Sequence, residues 1–419
     1  MVALLLSGAT RAQEVKALGF TFRGRLEWIT AAQGTFPRDS EVNPRNLVLE
    51  IPQISAQTEV RPDLHIEGHD ILFVARPRIL LEGSAASVDG SWQPFKRDAS
   101  LIWLDLFGSW RVTDWLTVAY GLQNFQWGPA ELLSPSNRIF HETGFARDPL
   151  YFVRGKNLLR VNLLRGKSLS AVLLAELLDN GEPAFVAGTK FDPKAALKLE
   201  WVAESGRAYL GLTGGGGKVA RGYFGEYGSV EIVDGLSLYA DAVHQAGSDA
   251  WVPEKRGDGT VAFAQPHRLA GLQTLLVGGV RYTFTDGSDI RVEYVFDQAG
   301  WDRNQLTLAN RAAAAFPPPV DQAAAVADWQ RPGFEIIGRH LVYLSMSFVE
   351  LPPWKRTRLQ VRAMEAIEDA SMGFFGTVSY DAAEWAVIFL SASWSKGAVD
   401  SALARGVQGM VVGGAVVSW

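Results

Sequence analysis

The stretch VGGVRYTFTDGSDIRVEYVFD, residues 277–297, alternates apolar and polar side chains on both sides of a turn. Val280, Tyr282 and Phe284 fall on one face, with Arg281 and Thr283 on the other. Beyond Asp286-Gly287-Ser288-Asp289, Ile290, Val292, Tyr294 and Phe296 alternate with Arg291, Glu293 and Asp297. Period-two alternation around a Gly-containing turn is the pattern of a β-hairpin. LDLFGSWRVTDWLTVAYGL, residues 104–122, repeats it around Thr113-Asp114. The same reading along the whole chain predicts eighteen strands, and the connections between them carry the topology. They run long (31–46), short (61–63), long (82–98), short (113–114), long (127–156) and short (165–167), and so on almost to the end. Tight turns at one end and long loops at the other are how a closed barrel of even strand number is built. A two-sheet sandwich gives no reason for such alternation.

The aromatic residues agree. Trp110 and Trp115 flank Thr113-Asp114, Trp354 precedes Lys355, and Tyr380 and Trp385 flank 381–384, so aromatics gather beside short turns as an interfacial girdle does. The fold class that follows is all-β: a single 18-stranded antiparallel transmembrane β-barrel over residues 13–419, with short periplasmic turns and long extracellular loops. No run approaches the roughly 18 uninterrupted apolar residues of a membrane helix. At the start, MVALLLSGATRAQEV reads as a signal-peptide remnant over residues 1–12, with cleavage after Ala12. The expected location is the bacterial outer membrane, with outer-membrane lipid as a partner.

Composition excludes several chemistries. There is no Cys, which rules out disulfides, Cys-ligated zinc and a Cys nucleophile. A formal net charge of −5 gives no reason to expect nucleic acid as a partner. HIEGH (65–69) places His65, Glu67 and His69 two residues apart, but His65 and His69 on an extended strand stand about 13 Å apart, so no metal site is expected. GGGGKV (214–219) lacks the spacing of a phosphate-binding loop and reads as an outer turn. No catalytic signature appears, so the chain reads as a non-enzyme without a cofactor; the second alternative is an outer-membrane enzyme, a lipase or protease, whose site is built from scattered residues.

If large apolar residues face lipid, the alternate positions line the interior. Those basic positions are Arg76, Arg78, Arg111, Arg160, Lys198, Arg281, Arg291, Arg339, Arg358 and Arg362. The acidic ones are Glu59, Asp105, Glu176, Glu200, Glu231, Asp241 and Glu293. Charges turned to lipid would cost about 2–4 kcal/mol each near the midplane, which forces them inward. Two arrangements fit: cross-barrel ion pairs that fill the bore, or an arginine-lined path for anionic or hydroxyl-rich solutes. Two long loops, 127–156 and 298–337, are expected to narrow it.

The first of these loops begins FQWGPAELLSPSNRIF (125–140), where Gly128 and Pro129 set a sharp corner after Trp127 and Glu131, Ser136, Asn137 and Arg138 present polar groups at the mouth. Trp127, Gly128, Pro129, Ser136, Asn137 and Arg138 resemble a motif of Wzi-like capsule-assembly barrels, without that motif's Ala and final Pro. Trp127, Gly128, Ala130, Glu131, Pro135 and Asn137 are also similar to a Trp-Gly-x-Ala-Asp motif of porin-like barrels. These resemblances imply an eighteen-strand barrel that handles saccharides, as a channel for small hydrophilic solutes or as an anchor for surface polysaccharide. VVGGAVVSW at the end, with Gly414, Val417 and Trp419, resembles the signal read by the barrel-assembly machinery of outer-membrane proteins, with Val412 where a polar residue is usual.

Overall fold

In the computed structural model, residues 13–419 are described except 41–42, 141–143, 180–192, 218–220, 249–251, 258, 260, 265–270, 315–337, 352, 399–400 and 405. Period-two segments form strands because each can bury one face while its backbone pairs with two neighbours. Eighteen of them close into one antiparallel ring. In order they are β1 (Phe20–Pro37), β2 (Ile54–Gly68), β3 (Ile71–Ala85), β4 (Lys96–Thr113), β5 (Leu116–Gln123) and β6 (Lys156–Arg165). Then come β7 (Leu169–Leu178), β8 (Lys194–Val202), β9 (Ala208–Gly217), β10 (Tyr223–Val233), β11 (Leu236–Ala246) and β12 (Leu272–Thr283). The last six are β13 (Asp289–Asp297), β14 (His340–Phe348), β15 (Thr357–Ala366), β16 (Ser371–Ala383), β17 (Ala386–Lys396) and β18 (Val407–Ser418). Among the described residues an α-helix, α1 (Arg303–Ala314), follows β13, and a single 3-10 turn lies at Pro44–Asn46.

The ring closes where β18 pairs with β1, from Glu27↔Ser418 to Pro37↔Val407. Leu26 and Trp419 complete that seam, exchanging backbone bonds of 3.1 and 2.9 Å. A further short strand, Gln13–Ala17, pairs with Phe20–Gly24 on the same edge of β1, beyond the end of β18. Residues 1–12 lie outside the described residues.

Two expectations need correction. No turn forms at 61–63: β2 runs through Arg61-Pro62-Asp63 and ends at Gly68, and the turn is His69-Asp70. Both turn residues take positive φ (50° and 62°), as a tight hairpin of this hand requires. Pro62 and Pro77 stand opposite each other in the β2–β3 ladder, whose register runs from Val60↔Ile79 to Leu64↔Ala75 without a pairing between. Proline has no N–H to give a ladder, so a sequence that looked like a turn is a local gap in pairing. Likewise Gly214–Gly217 belong to β9, paired with Lys194–Leu197, rather than to an outer turn.

The outer surface is apolar. Leu81, Leu101, Leu173, Leu199, Leu210, Val280, Val292, Ile388 and Leu390 are all exposed on it, far more than a water-facing surface carries. Trp110, Trp115, Trp354, Tyr380 and Trp385 are exposed near the rim of short connections. The interior is also partly apolar, which strict alternation did not predict. Leu132 and Leu133 pack against Val243, Leu275, Val277, Val295, Leu341 and Tyr343. Trp127, Ile139 and Phe140 pack against Leu158, Val172, Leu174, Ala196 and Tyr227. The core therefore lies inside the ring, between the wall and the segment joining β5 to β6. At the rim of long connections Trp301 and Leu306 pack with Ala366, at the end of β15, and Ala402, from the connection before β18.

Candidate functional site

Residues 124–155 leave β5 at Gln123 and turn into the barrel. Gly128 makes the corner with φ of 97°, and a Cβ there would lie 2.2 Å from both Asp241 Oδ2 and Ser134 Oγ. Only glycine fits that approach. The segment is then held by wall carboxylates that accept from its backbone. Glu293, fully buried on β13, accepts from Glu131 N at 2.6 Å and Leu132 N at 3.0 Å, and from Tyr239 Oη at 2.8 Å. Asp241 on β11 accepts from Ser136 N at 2.8 Å and Ser134 Oγ at 2.6 Å. Thr213 on β9 donates to Ser136 O at 3.2 Å. A buried carboxylate with several donors is satisfied, whereas one without them would be among the costliest groups a protein can bury.

Glu131 reverses the direction. It projects from the segment into the wall, where Arg362 Nε (3.1 Å), Arg291 Nε (3.3 Å), Tyr343 Oη (3.1 Å) and Ser345 Oγ (3.1 Å) surround its carboxylate. Asn137, also buried, caps the following turn by accepting from Ile139 N and Phe140 N. Arg138 donates to Gln245 at 3.4 Å. Of the proposed mouth residues, Trp127, Ser136 and Asn137 are therefore buried inside the ring, where they serve as anchors.

The returning half meets the other side of the wall. On β2 and β3, Glu59 accepts from Arg61 at 2.7 and 2.9 Å and forms a bidentate pair with Arg78. Arg78 lies 4.0 Å from the Phe152 ring and donates to Leu150 O at 3.3 Å. Arg362 reaches Arg147 O at 3.4 Å, and Gly155 N donates to Leu104 O at 2.9 Å. Asp148 accepts from Leu150 N and Tyr151 N. Burial pushes its carboxyl above the usual aspartate value, against the opposing pull of those bonds and of Arg61.

The basic positions read from the sequence thus separate into groups. Arg78, Arg291 and Arg362 meet the inward segment, with Glu293 beside them. Arg160 lies 4.8 Å from the Phe125 ring, and Lys198 pairs with Glu200 at 2.9 Å. Arg76, half-exposed, joins Asp63 and Asp105 at 3.0 Å each. Arg111, Arg281 and Arg358 stand near the rim of short connections beside Asp70, Asp289 and Asp381, Arg111 and Arg358 well exposed. Arg339 precedes β14, its carbonyl accepting from Asp297 N. Tyr239, Tyr343, Ser345 and Arg61 complete the arrangement and were not singled out. Their signal was position, since Tyr239 and Tyr343 share the inward parity of Asp241 and Ser345. His65 bonds Asp63 at 2.8 Å and His69 packs edge-on against Phe20 at 5.1 Å, so the two imidazoles go separate ways. The second long loop contributes α1, and residues 315–337 lie outside the described residues.

No protein-family model and no curated protein matches the sequence. Solved structures do match over nearly the whole length. Pseudomonas aeruginosa OprD aligns at 8% identity and a TM-score of 0.53, covering 94% of this chain and 95% of that one. Pseudomonas aeruginosa OccK5 aligns at 10% identity and 0.52, covering 95% and 98%. A BenF-like porin from Pseudomonas fluorescens Pf-5 aligns at 10% and 0.50, covering 96% and 99%. At identities this low the likeness shows the fold alone, an eighteen-strand antiparallel barrel like that of these porins.

Proposed function

We propose that this chain is an outer-membrane channel for small hydrophilic solutes, with residues 124–155 forming its constriction. The observation that carries the reading is a segment folded into an eighteen-strand ring and fastened to the wall at fixed points. A ring of this size leaves an aqueous bore unless loops fill it, so a fastened segment sets the bore. The apolar outer belt is matched to hydrocarbon, and the short connections would face the periplasm, as in barrels of this kind. Arg78, Arg291 and Arg362 are spent on Glu59 and Glu131, so the half-exposed guanidiniums of Arg76 and Arg281 are the planar donors left to favour anionic or saccharide solutes. The C-terminal strand would be the part read by the assembly machinery.

Planar-bilayer recording of the purified protein tests this. Steady ohmic steps are expected, with anion preference falling when Arg76 and Arg281 are replaced by Gln. A second reading is an anchor for surface polysaccharide, and one observation favours it: the segment is tied to opposite parts of the wall, at β11–β15 and at β2–β3. Silence in the bilayer together with retention of acidic polysaccharide would select the anchor.

A further inference from the structure

Three polar side chains lie on the outer face of the ring, where apolar ones prevail. Their neighbours in sequence, Tyr227, Val243 and Leu275, are buried against the inward segment, so Glu226, His244 and Thr274 point outward by alternation. Apolar side chains border them along the strands: Phe224 and Leu272 towards the rim of long connections, Val230, Leu238 and Val280 away from it, all exposed. Ionisable groups within an apolar belt are costly and tend to mark function.

Their geometry is a relay. Thr274 Oγ1 is 2.9 Å from His244 Nδ1, and His244 Nε2 is 2.9 Å from Glu226 Oε1. The second carboxylate oxygen, Glu226 Oε2, is buried and has no hydrogen-bond partner among the described residues. One tautomer satisfies both bonds: Nε2–H donates to Glu226, and Nδ1 accepts the threonine proton. That is a hydroxyl, a base and a group orienting the base, supplied by three adjacent strands.

We propose that Thr274, His244 and Glu226 form an esterase site for acyl esters of membrane lipid. Thr274 Oγ1 attacks the ester carbonyl carbon while His244 Nδ1 takes its proton. The bond to the leaving alcohol breaks, and the alcohol oxygen receives that proton from His244. Water, giving a proton to the same imidazole, then attacks the acyl carbon; the bond to Thr274 Oγ1 breaks, that oxygen takes the proton back from His244, and the fatty acid leaves. Glu226 is a positioning residue that holds the tautomer and stabilises the imidazolium. The step needs only lipid and water, which meet at the edge of the belt.

The test uses the whole purified protein in mixed micelles with a diacyl phosphatidylglycerol carrying labelled acyl chains. Release of labelled fatty acid is expected. Thr274→Val and His244→Gln should each lower it at least about 100-fold. Thr274→Ser should retain it, and Glu226→Gln should lower it and alter the pH profile. A fluorophosphonate ester should label residue 274 in the natural protein and not in Thr274→Val. Because these side chains face away from the lumen, bilayer conductance should be unchanged in every variant, which separates this site from the channel and reports folding. Fatty-acid release no greater from the natural protein than from Thr274→Val, or absence of the label at 274, would overturn the proposal.

Discussion

The inward segment is fastened by opposite chemistries at its two halves. Residues 128–136 give backbone N–H groups to wall carboxylates, Glu293 and Asp241. Residues 147–150 give carbonyl oxygens to wall guanidiniums, Arg362 and Arg78. The first half is held at 2.6–3.0 Å largely through its backbone, with the side chains of Ser134 and Glu131 adding to the fastening. The second is held at 3.3–3.4 Å by arginines already engaged with acids. The first half should therefore be the fixed jaw of the constriction and the second the compliant one.

Removing Glu131 should do most to break that contrast. Glu131→Ala leaves Arg291 and Arg362 buried without their shared acid, a loss of about 3–5 kcal/mol. The fixed jaw should open, seen as a larger and noisier single-channel step, whereas an unchanged step would locate the constriction elsewhere. Gly128→Ala should follow, at about 1–3 kcal/mol, since its φ and its approach to Asp241 both exclude a side chain. Limited proteolysis between 129 and 140 should accelerate. Glu293→Gln keeps one acceptor and loses the charge, so thermal unfolding should register a loss of about 1–2 kcal/mol.

The compliant half should respond to acid. Asp148 has its folded value raised by burial, so the docked segment binds its proton more readily than the free one. Docking therefore strengthens as pH falls from the raised value to the ordinary aspartate range, and weakens as pH rises through it. Cleavage near residue 150 should slow on acidification, and Asp148→Asn should remove the effect. The smallest change belongs to Arg111→Ser. This exposed rim arginine, 3.9 Å from Asp70, should alter stability by less than about 0.5 kcal/mol.

The strands were legible because lipid and lumen impose period two on each of them, and β13 falls where residues 289–297 were expected. Arg61-Pro62-Asp63 misled because a proline in a paired strand and a proline in a turn look alike until the opposing Pro77 is known. Glu131 and Glu293 could be named from their positions, but not as two halves of one fastening, since they are 162 residues apart in sequence. The wall tyrosines were hidden for a different reason. Aromatic rings were assigned to lipid, yet where a polar segment enters the ring, a phenol that buries its body and bonds a carboxylate fits equally well.

The short strand Gln13–Ala17 has a consequence for how the ring finds its register. It fills the edge of β1 from Phe20 to Gly24, and the terminal strand begins its pairing at Leu26. It bounds the slide on that side: Trp419 sits opposite Leu26 and Gln13 opposite Gly24, so the closing strand can move towards Gly24 no farther than Arg25, and one residue of slip already turns every side chain on it to the other face. A chain clipped after Ala17 should keep all eighteen staves and lose the ruler that aligns the last one.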